Sequence, residues 1–294
     1  MLRGLYSATS GLIAQQRKHD SATNNITNLN TPGFKQVNVV TRSFPEMLIS
    51  LVRGSSDQST SVIGSVNGGV FAEEGLASFL QGDIMPTDNP TDIAILSNIQ
   101  VPGLQFDASG KALNDQGELV FQPQAFFTVE NAEGEERYTR DGKFSVNEDG
   151  EWVTPTGHRL LSADGQPLVI NSLSGNIQIS PNGRIFDTVT GQQLLAADGV
   201  TPLSIRISVI ENPHELIREG DGNYRIDPNA EPARLLGIDD TVELLQGYME
   251  RSNVDATAQM VDMMSALRAY EANQKVVQFY DRNMDKAVNE IGRI

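Results

Sequence analysis

Residues 252–294 read SNVDATAQMVDMMSALRAYEANQKVVQFYDRNMDKAVNEIGRI, with no proline and no glycine before Gly292. Alternate steps of three and four from Ala256 visit Gln259, Met263, Ala266, Tyr270, Asn273, Val277, Tyr280, Met284, Ala287 and Ile291. Only two of these are polar, and the beat is a heptad. The spacing predicts a helix of roughly 38 residues, started by Ser252 as cap with Asp255 answering three residues on. One narrow seam left in water gains little, so this helix needs a partner.

The other end of the chain supplies a candidate. The same alternation from Met1 gives Leu5, Ala8, Leu12, Gln15, His19, Ala22, Ile26 and Leu29. It ends at Asn30-Thr31-Pro32-Gly33, where proline pushes Thr31 out of the helical region and glycine opens a turn. That turn is expected to be a hinge. Either both termini form a helical hairpin against an ordinary core, or they form a coiled-coil stalk that also meets neighbouring chains.

Between the ends the signal is β. Glycines fall at 134, 142, 150, 157 and 165, then at 175, 183, 191 and 199, most of them after Asp, Asn or Glu. Such dipeptides supply the positive φ of hairpin turns. Short runs beside and between them, such as Ala125–Val129 and Asn176–Ile179, read as strands of an antiparallel meander. Leu203–Ile210 alternates, and Val242–Met249 leads into the last helix. Met47–Val52 is read as one or two helical turns, and the Gly/Ser-rich stretch 54–70 as a mobile or extended connection. The expected fold is mainly β with α: long terminal helices in a coiled-coil stalk and an antiparallel β-sandwich or barrel-like middle. The expected segments are 1–30 (stalk helix), 31–85 (extended or flexible connection), 86–214 (β-rich outer domain), 215–251 (β return) and 252–294 (stalk helix). Residues 70–250 are expected to fold alone, with the two helices marginal outside an assembly.

Composition excludes several functions. The chain has no cysteine, hence no disulfide, thiolate metal site or cysteine nucleophile. Its net charge of −16 is divided as +4 over residues 1–53, −18 over 54–240 and −2 over 241–294. The acidic bulk argues against a nucleic-acid surface. No apolar run approaches the length needed to span a membrane, and Met1-Leu2-Arg3 opens an amphipathic stretch, so no secretory signal is expected. His19, His158 and His214 share no ligand spacing, and no phosphate-cradling loop or nucleophile elbow is present. Ser145, Asn147, Asp149 and Gly150 begin like a calcium loop, but the twelfth position is Thr156, which supplies no bidentate carboxylate. No catalytic residue, cofactor or metal is expected.

Three blocks carry a family resemblance. Ser7-Ala8-Thr9-Ser10-Gly11 and Asn24-Asn25-Ile26-Thr27-Asn28-Leu29-Asn30-Thr31-Pro32-Gly33-Phe34-Lys35 resemble the N-terminal signature of the bacterial flagellar rod and hook proteins. Ser252-Asn253-Val254-Asp255, Met260–Met264 and Arg268–Asn273 resemble the matching C-terminal signature. Phe126–Val129, Tyr138–Phe144, Asp149-Gly150 and Thr156–Leu160 are similar to the β domain of the distal rod members. One departure stands out: Leu96–Gln124 separates Asp92-Ile93-Ala94-Ile95 from the Phe-Phe strand, with turn residues for an extra hairpin.

The resemblance implies a structural axial subunit of the basal-body rod, with helical assembly through the terminal helices. It also implies export through the flagellar type III apparatus without a cleaved signal, and location in the flagellar basal body, outside the cytoplasm. Partners would be the chain itself and other rod or hook subunits, with no nucleic acid and no small-molecule substrate. The residues expected to carry assembly are Leu5, Leu12, Asn24, Asn25, Ile26, Asn28, Asn30, Thr31, Pro32, Gly33, Phe34, Ser252, Asn253, Val254, Asp255, Met263, Tyr270, Asn273, Val277 and Met284. The alternatives are a hook-type subunit and, from a different class, a secreted carbohydrate-acting enzyme or binding module using paired carboxylates.

Overall fold

Two long helices bracket the β strands: α1, Leu2–Thr27, and α2, Ala256–Lys286. The computed structural model describes residues 2–51, 61–73, 75–107, 110–114, 116–170, 177–196, 199, 201–237 and 240–291. The chain groups into two units, each drawn from separated stretches. The first comprises Met1–Thr27, Val37–Leu76 and Asp255–Ile294; the second comprises Asn28–Gln36 and Ala77–Val254.

In the first unit α1 stops at Thr27, short of the expected residue 30, because Asn28–Asn30 already form a turn ahead of Pro32. The start of α2 also differs from the expectation. Its cap is Asp255, whose Oδ1 accepts from the Thr257 and Ala258 N–H groups at 2.8 and 3.2 Å. Ser252 does not cap; Asn253 and Val254 are not helical, so the helix begins three residues too late for it. Beyond Lys286 the helix continues into a π-helical turn, Ala287–Ile291.

The expected helical turns at Met47–Val52 are instead a strand, Met47–Leu51, paired antiparallel with Ser61–Val66. A short apolar run is ambiguous between the two states, and here a cross-strand partner decided it. Residues 54–60 of the expected connection lie outside the described residues. A second ribbon pairs Thr41–Ser43 with Val70–Ala72 and is tied to α1. Ser10 Oγ accepts from the Val70 N–H at 3.2 Å, and the Arg17 guanidinium donates to the Ala72 carbonyl at 3.1 Å.

The second unit is built around Gln124–Glu130, the centre of a nine-stranded antiparallel sheet. Glu136–Thr139 pairs along one edge of this strand. The other edge is shared, with Ile207–Ile210 along its first half and Arg159–Leu160 along its second. Residues 124–129 are all buried because both faces are covered. Ala125, Phe127 and Val129 enter a core with Ile93, Ile95, Trp152, Leu160 and Leu244. Phe126 enters a second core with Tyr138, Ile210 and Tyr224. Two-stranded ribbons complete the unit, among them Ile93–Ser97 with Val242–Gln246 and Ile84–Pro86 with Tyr248–Glu250. Among the described residues the large sheet stays open, so the barrel alternative does not hold.

Among the described residues the glycine rhythm is a turn rhythm, with one exception; Gly175 lies outside them. Gly134, Gly150, Gly157, Gly165 and Gly183 have φ from +78° to +86°. Each donates its N–H to the carbonyl three residues earlier, closing the same short loop. Gly142 is not of this kind: a Cβ there would lie 1.7 Å from the Ile93 carbonyl oxygen. Its lack of a side chain permits close packing instead of a turn. The calcium-like stretch is also such a loop, with Asn147 Oδ1 accepting from the Asp149 and Glu151 N–H groups. Leu96–Gln124 contains the extra hairpin, Lys111–Leu113 paired with Leu119–Phe121.

Candidate assembly site

The two helices of the first unit run antiparallel, and their contacts repeat in steps of seven. A Cβ added to Gly4 would fall 2.1 Å from Tyr280 Oη, and one added to Gly11 would fall 2.9 Å from Asn273 Nδ2. Seven-residue steps along α1 are thus matched by seven-residue steps back along α2. Further along, Asn25 donates to Gln259 Oε1 at 2.9 Å, and Thr23 Oγ1 meets Met263 Sδ at 3.8 Å. Between these layers lies a hollow of about 290 Å³ bordered by Lys18, Ala22 and Ala266.

On α2, Met263, Tyr270, Asn273, Val277 and Met284 are all half-buried along this seam, while Gln259 and Ala266 are buried. On α1, Leu5, Leu12 and Ile26 are half-buried and Asn24 is exposed. The closest-packed face of α1 is made of Ala8, Gly11, Ala14, Ala22 and Asn25. Ala8 and Ala22 lie on the heptad alternation, whereas Gly11 and Ala14 fall off it, and of the five only Asn25 was among the residues expected to carry assembly. Small size at a repeated spacing was the available signal. Away from the seam α2 leaves Met260, Val261, Met264, Leu267, Val276 and Phe279 exposed.

Asn28–Gln36 and Ser252–Val254 meet in the second unit. Thr31 donates through its N–H to the Asn28 carbonyl at 3.2 Å and through Oγ1 to Asn28 Oδ1 at 3.2 Å. Asn30 is exposed and Pro32 half-buried. Gly33, at φ +66°, donates to the Glu250 carbonyl at 2.9 Å. A Cβ on it would meet the Arg140 backbone at 2.5 Å, so both conformation and space require glycine. Phe34 is buried beneath the Arg218 guanidinium, 4.3 Å from its ring centroid. Asn253 clamps the segment: its Oδ1 accepts from the Gln36 N–H at 2.7 Å, and its Nδ2 donates to the Ser78 carbonyl at 2.8 Å. Val254 is buried beside it in sequence, and Ser252 is half-buried with its hydroxyl unpartnered.

A buried ion cluster, invisible in the sequence, pins the same segment. Lys35 Nζ donates to Glu250 Oε1 at 2.7 Å and to the Leu80 carbonyl at 2.8 Å. Arg140 Nε stands 3.2 Å from Glu250 Oε2. Its other nitrogens donate to the Ala125 carbonyl and to Gln81 Oε1. Burial, aided by Arg140, lowers the Lys35 pKa to about 8 against the pull of Glu250. Glu250 is itself held below the usual carboxylate value, since Arg140 and Lys35 outweigh its desolvation. The two cations share one carboxylate, and their other partners are backbone carbonyls and the Gln81 side chain; they build structure. Among the described residues no group of three or more His, Asp or Glu is placed to hold a metal, and no helix is long and apolar enough to cross a membrane.

Comparison with known proteins returns three family models in chain order. Residues 5–35 match the flagella basal body rod protein model, and residues 120–187 match the D1 domain of the flagellar hook protein FlgE/F/G. Residues 245–290 match the C-terminal model of the flagellar basal body rod FlgEFG proteins. The flagellar hook-basal body complex protein FlhO of Bacillus subtilis is 40% identical over 100% of both chains. The flagellar basal-body rod protein FlgG of Caulobacter vibrioides is 30% identical over 96% of each chain. FlgG of Bacillus subtilis is 28% identical over 98% of this chain and 99% of its own.

Proposed function

Because this chain belongs to the flagellar basal-body rod protein family, we propose that it is a structural axial subunit of the rod whose α1–α2 pair is its assembly element. The supporting observation is the division of labour on α2. One face is committed to α1, while Met260, Met264, Leu267 and Phe279 leave an apolar face in water. Surfaces of this kind mark protein contacts, and a head-to-tail contact whose rotation does not close grows into an open helix. Neighbouring copies, or other rod or hook subunits, cover that face.

The acidic middle of the chain fits an outer position, where mutual repulsion keeps subunits soluble before assembly. Delivery by the flagellar type III export apparatus without a cleaved leader belongs to the same reading. So does an extracytoplasmic place in the basal body. The test is a tagged chain followed into purified basal bodies. Incorporation is expected for the parent and lost for Leu267→Asp/Phe279→Asp, with the melting of the second unit unchanged. A parent chain absent from basal bodies, or a doubly substituted chain that still incorporates, overturns the proposal.

A further inference from the structure

A seam built on a seven-residue beat does not fix its own register, because a slide of seven lays similar residues together again. The α1–α2 pair shows this degeneracy. Gly4 receives Tyr280 and Gly11 receives Asn273. Sliding one heptad would bring Gly11 beneath Tyr280, so a glycine would again meet the same ring. The half-buried apolar steps on either side are equally tolerant.

That slide sets Asn273 opposite Lys18, and the buried polar layer is stricter still. Asn25 is 1% exposed and Gln259 4% exposed, and the Asn25 amide is fully used. Its Oδ1 accepts from the Val37 N–H at 3.0 Å, while its Nδ2 donates to the Val37 carbonyl at 2.9 Å and to Gln259 Oε1 at 2.9 Å. The Val37 backbone fixes the orientation of the amide, so its remaining N–H points at one place on α2. A slide of seven in one direction sets Ala266 there, and in the other Ser252, which precedes the helix. Either slide strands a buried amide donor and displaces a buried glutamine.

We propose that the buried Asn25–Gln259 hydrogen bond selects the register of the antiparallel α1–α2 pair. It is the counterpart, in a hairpin of helices from opposite chain ends, of a single polar residue that sets alignment in a coiled coil. Glycine sockets and apolar steps hold the helices together; this bond decides which residues face which.

The chain has no cysteine, so thiol pairs can report the register directly in the full-length protein. Thr23→Cys/Met263→Cys marks the observed register, because those side chains touch at 3.8 Å. Thr23→Cys/Tyr270→Cys and Thr23→Cys/Ala256→Cys mark the two heptad slides. With a short bifunctional maleimide, the intramolecular 23–263 link is expected alone in the parent. Gln259→Leu leaves the Val37 clamp intact and removes only the cross-helix bond. It is expected to raise one slid link by roughly tenfold, the ratio that loss of one buried hydrogen bond allows. Should that variant lose its helices, Asn25→Leu/Gln259→Leu restores an apolar layer and is expected to be helical by circular dichroism with mixed links. A parent without the 23–263 link, a helical variant that keeps it alone, or loss of helix in both variants would each overturn the proposal.

Discussion

Lys35 Nζ lies 2.7 Å from Glu250 Oε1, and each side chain is only 1% exposed. The two residues are 215 positions apart in the chain. Their contact, with Arg140 on the second carboxylate oxygen, gives one buried anion to two buried cations. Glu250→Gln therefore strands both cations and is expected to cost about 3–5 kcal/mol. Lys35→Met leaves Arg140 and Glu250 paired and should cost less. Guanidinium unfolding followed by the fluorescence of Trp152, the single tryptophan, measures both. Equal losses would count against Glu250 as the shared partner.

Asp141 gives a pH dependence of definite sign. Burial raises its pKa to about 6, with backbone and charge contributions from Lys143 opposing and the charge of Asp92 assisting. The folded state then binds the proton more tightly than the unfolded state, so ionisation costs stability. That cost is full above pH 6 and vanishes below the ordinary value of 3.8. Asp141→Asn keeps an oxygen for the Lys143 N–H and is expected to stabilise by about 3 kcal/mol at pH 7. The gain should shrink as pH falls from 6 to 3.8; a gain independent of pH would refute the assignment.

His214 ties the extra hairpin to the second core. Its ring centroid is 4.1 Å from that of Phe121 and 5.8 Å from that of Phe79, and burial together with Lys111 lowers its pKa. The neutral ring is the form that packs, so its contribution is complete above the ordinary value of 6.5 and is lost as pH falls below it. Protection of the amides across residues 111–121, with the intrinsic pH dependence of exchange divided out, should fall between pH 7 and pH 5 in the parent but not in His214→Phe. Matching profiles in the two chains would remove His214 from the account.

The boundaries of the second unit revise the fragment expected to fold alone. A piece cut at residues 70 and 250 omits Phe34 and Lys35 and ends on the carboxylate that Lys35 and Arg140 share. A 28–254 chain is expected to melt cooperatively, and the 70–250 piece to melt at least 10 °C lower or not cooperatively, on the scale of about 4 °C per kcal/mol. Coincident melting of the two fragments would show that the 28–36 segment contributes nothing.

Much of this architecture was readable in sequence, for identifiable reasons. Seam positions on α2 carry large apolar groups among polar ones, so their period showed. Hairpin loops were legible because glycine takes the positive φ at their fourth position most readily. The inner face of α1 was not: it packs through Gly4, Gly11 and Ala14, where the contact depends on missing side-chain volume. Lys35 and Glu250 looked like ordinary surface charges, since no local pattern links residues so far apart. Ser252 was a plausible cap by type, and Asp255 prevailed because the chain first runs through the Asn253 clamp.

The matched steps of seven also bear on how the terminal helices can change in length over evolution. Gly11 and Asn25 are separated by the same interval as Gln259 and Asn273. Deleting one residue within that interval on α1 would turn everything beyond it by about 100°. Glycine sockets and the polar bond would then face different sides of the helix. A single-residue insertion or deletion there is penalised even if the new residue is an excellent helix former. Compensation requires seven residues, or a matching change in the opposite terminus more than two hundred codons away. Substitutions can accumulate singly along these helices, whereas their lengths must drift together.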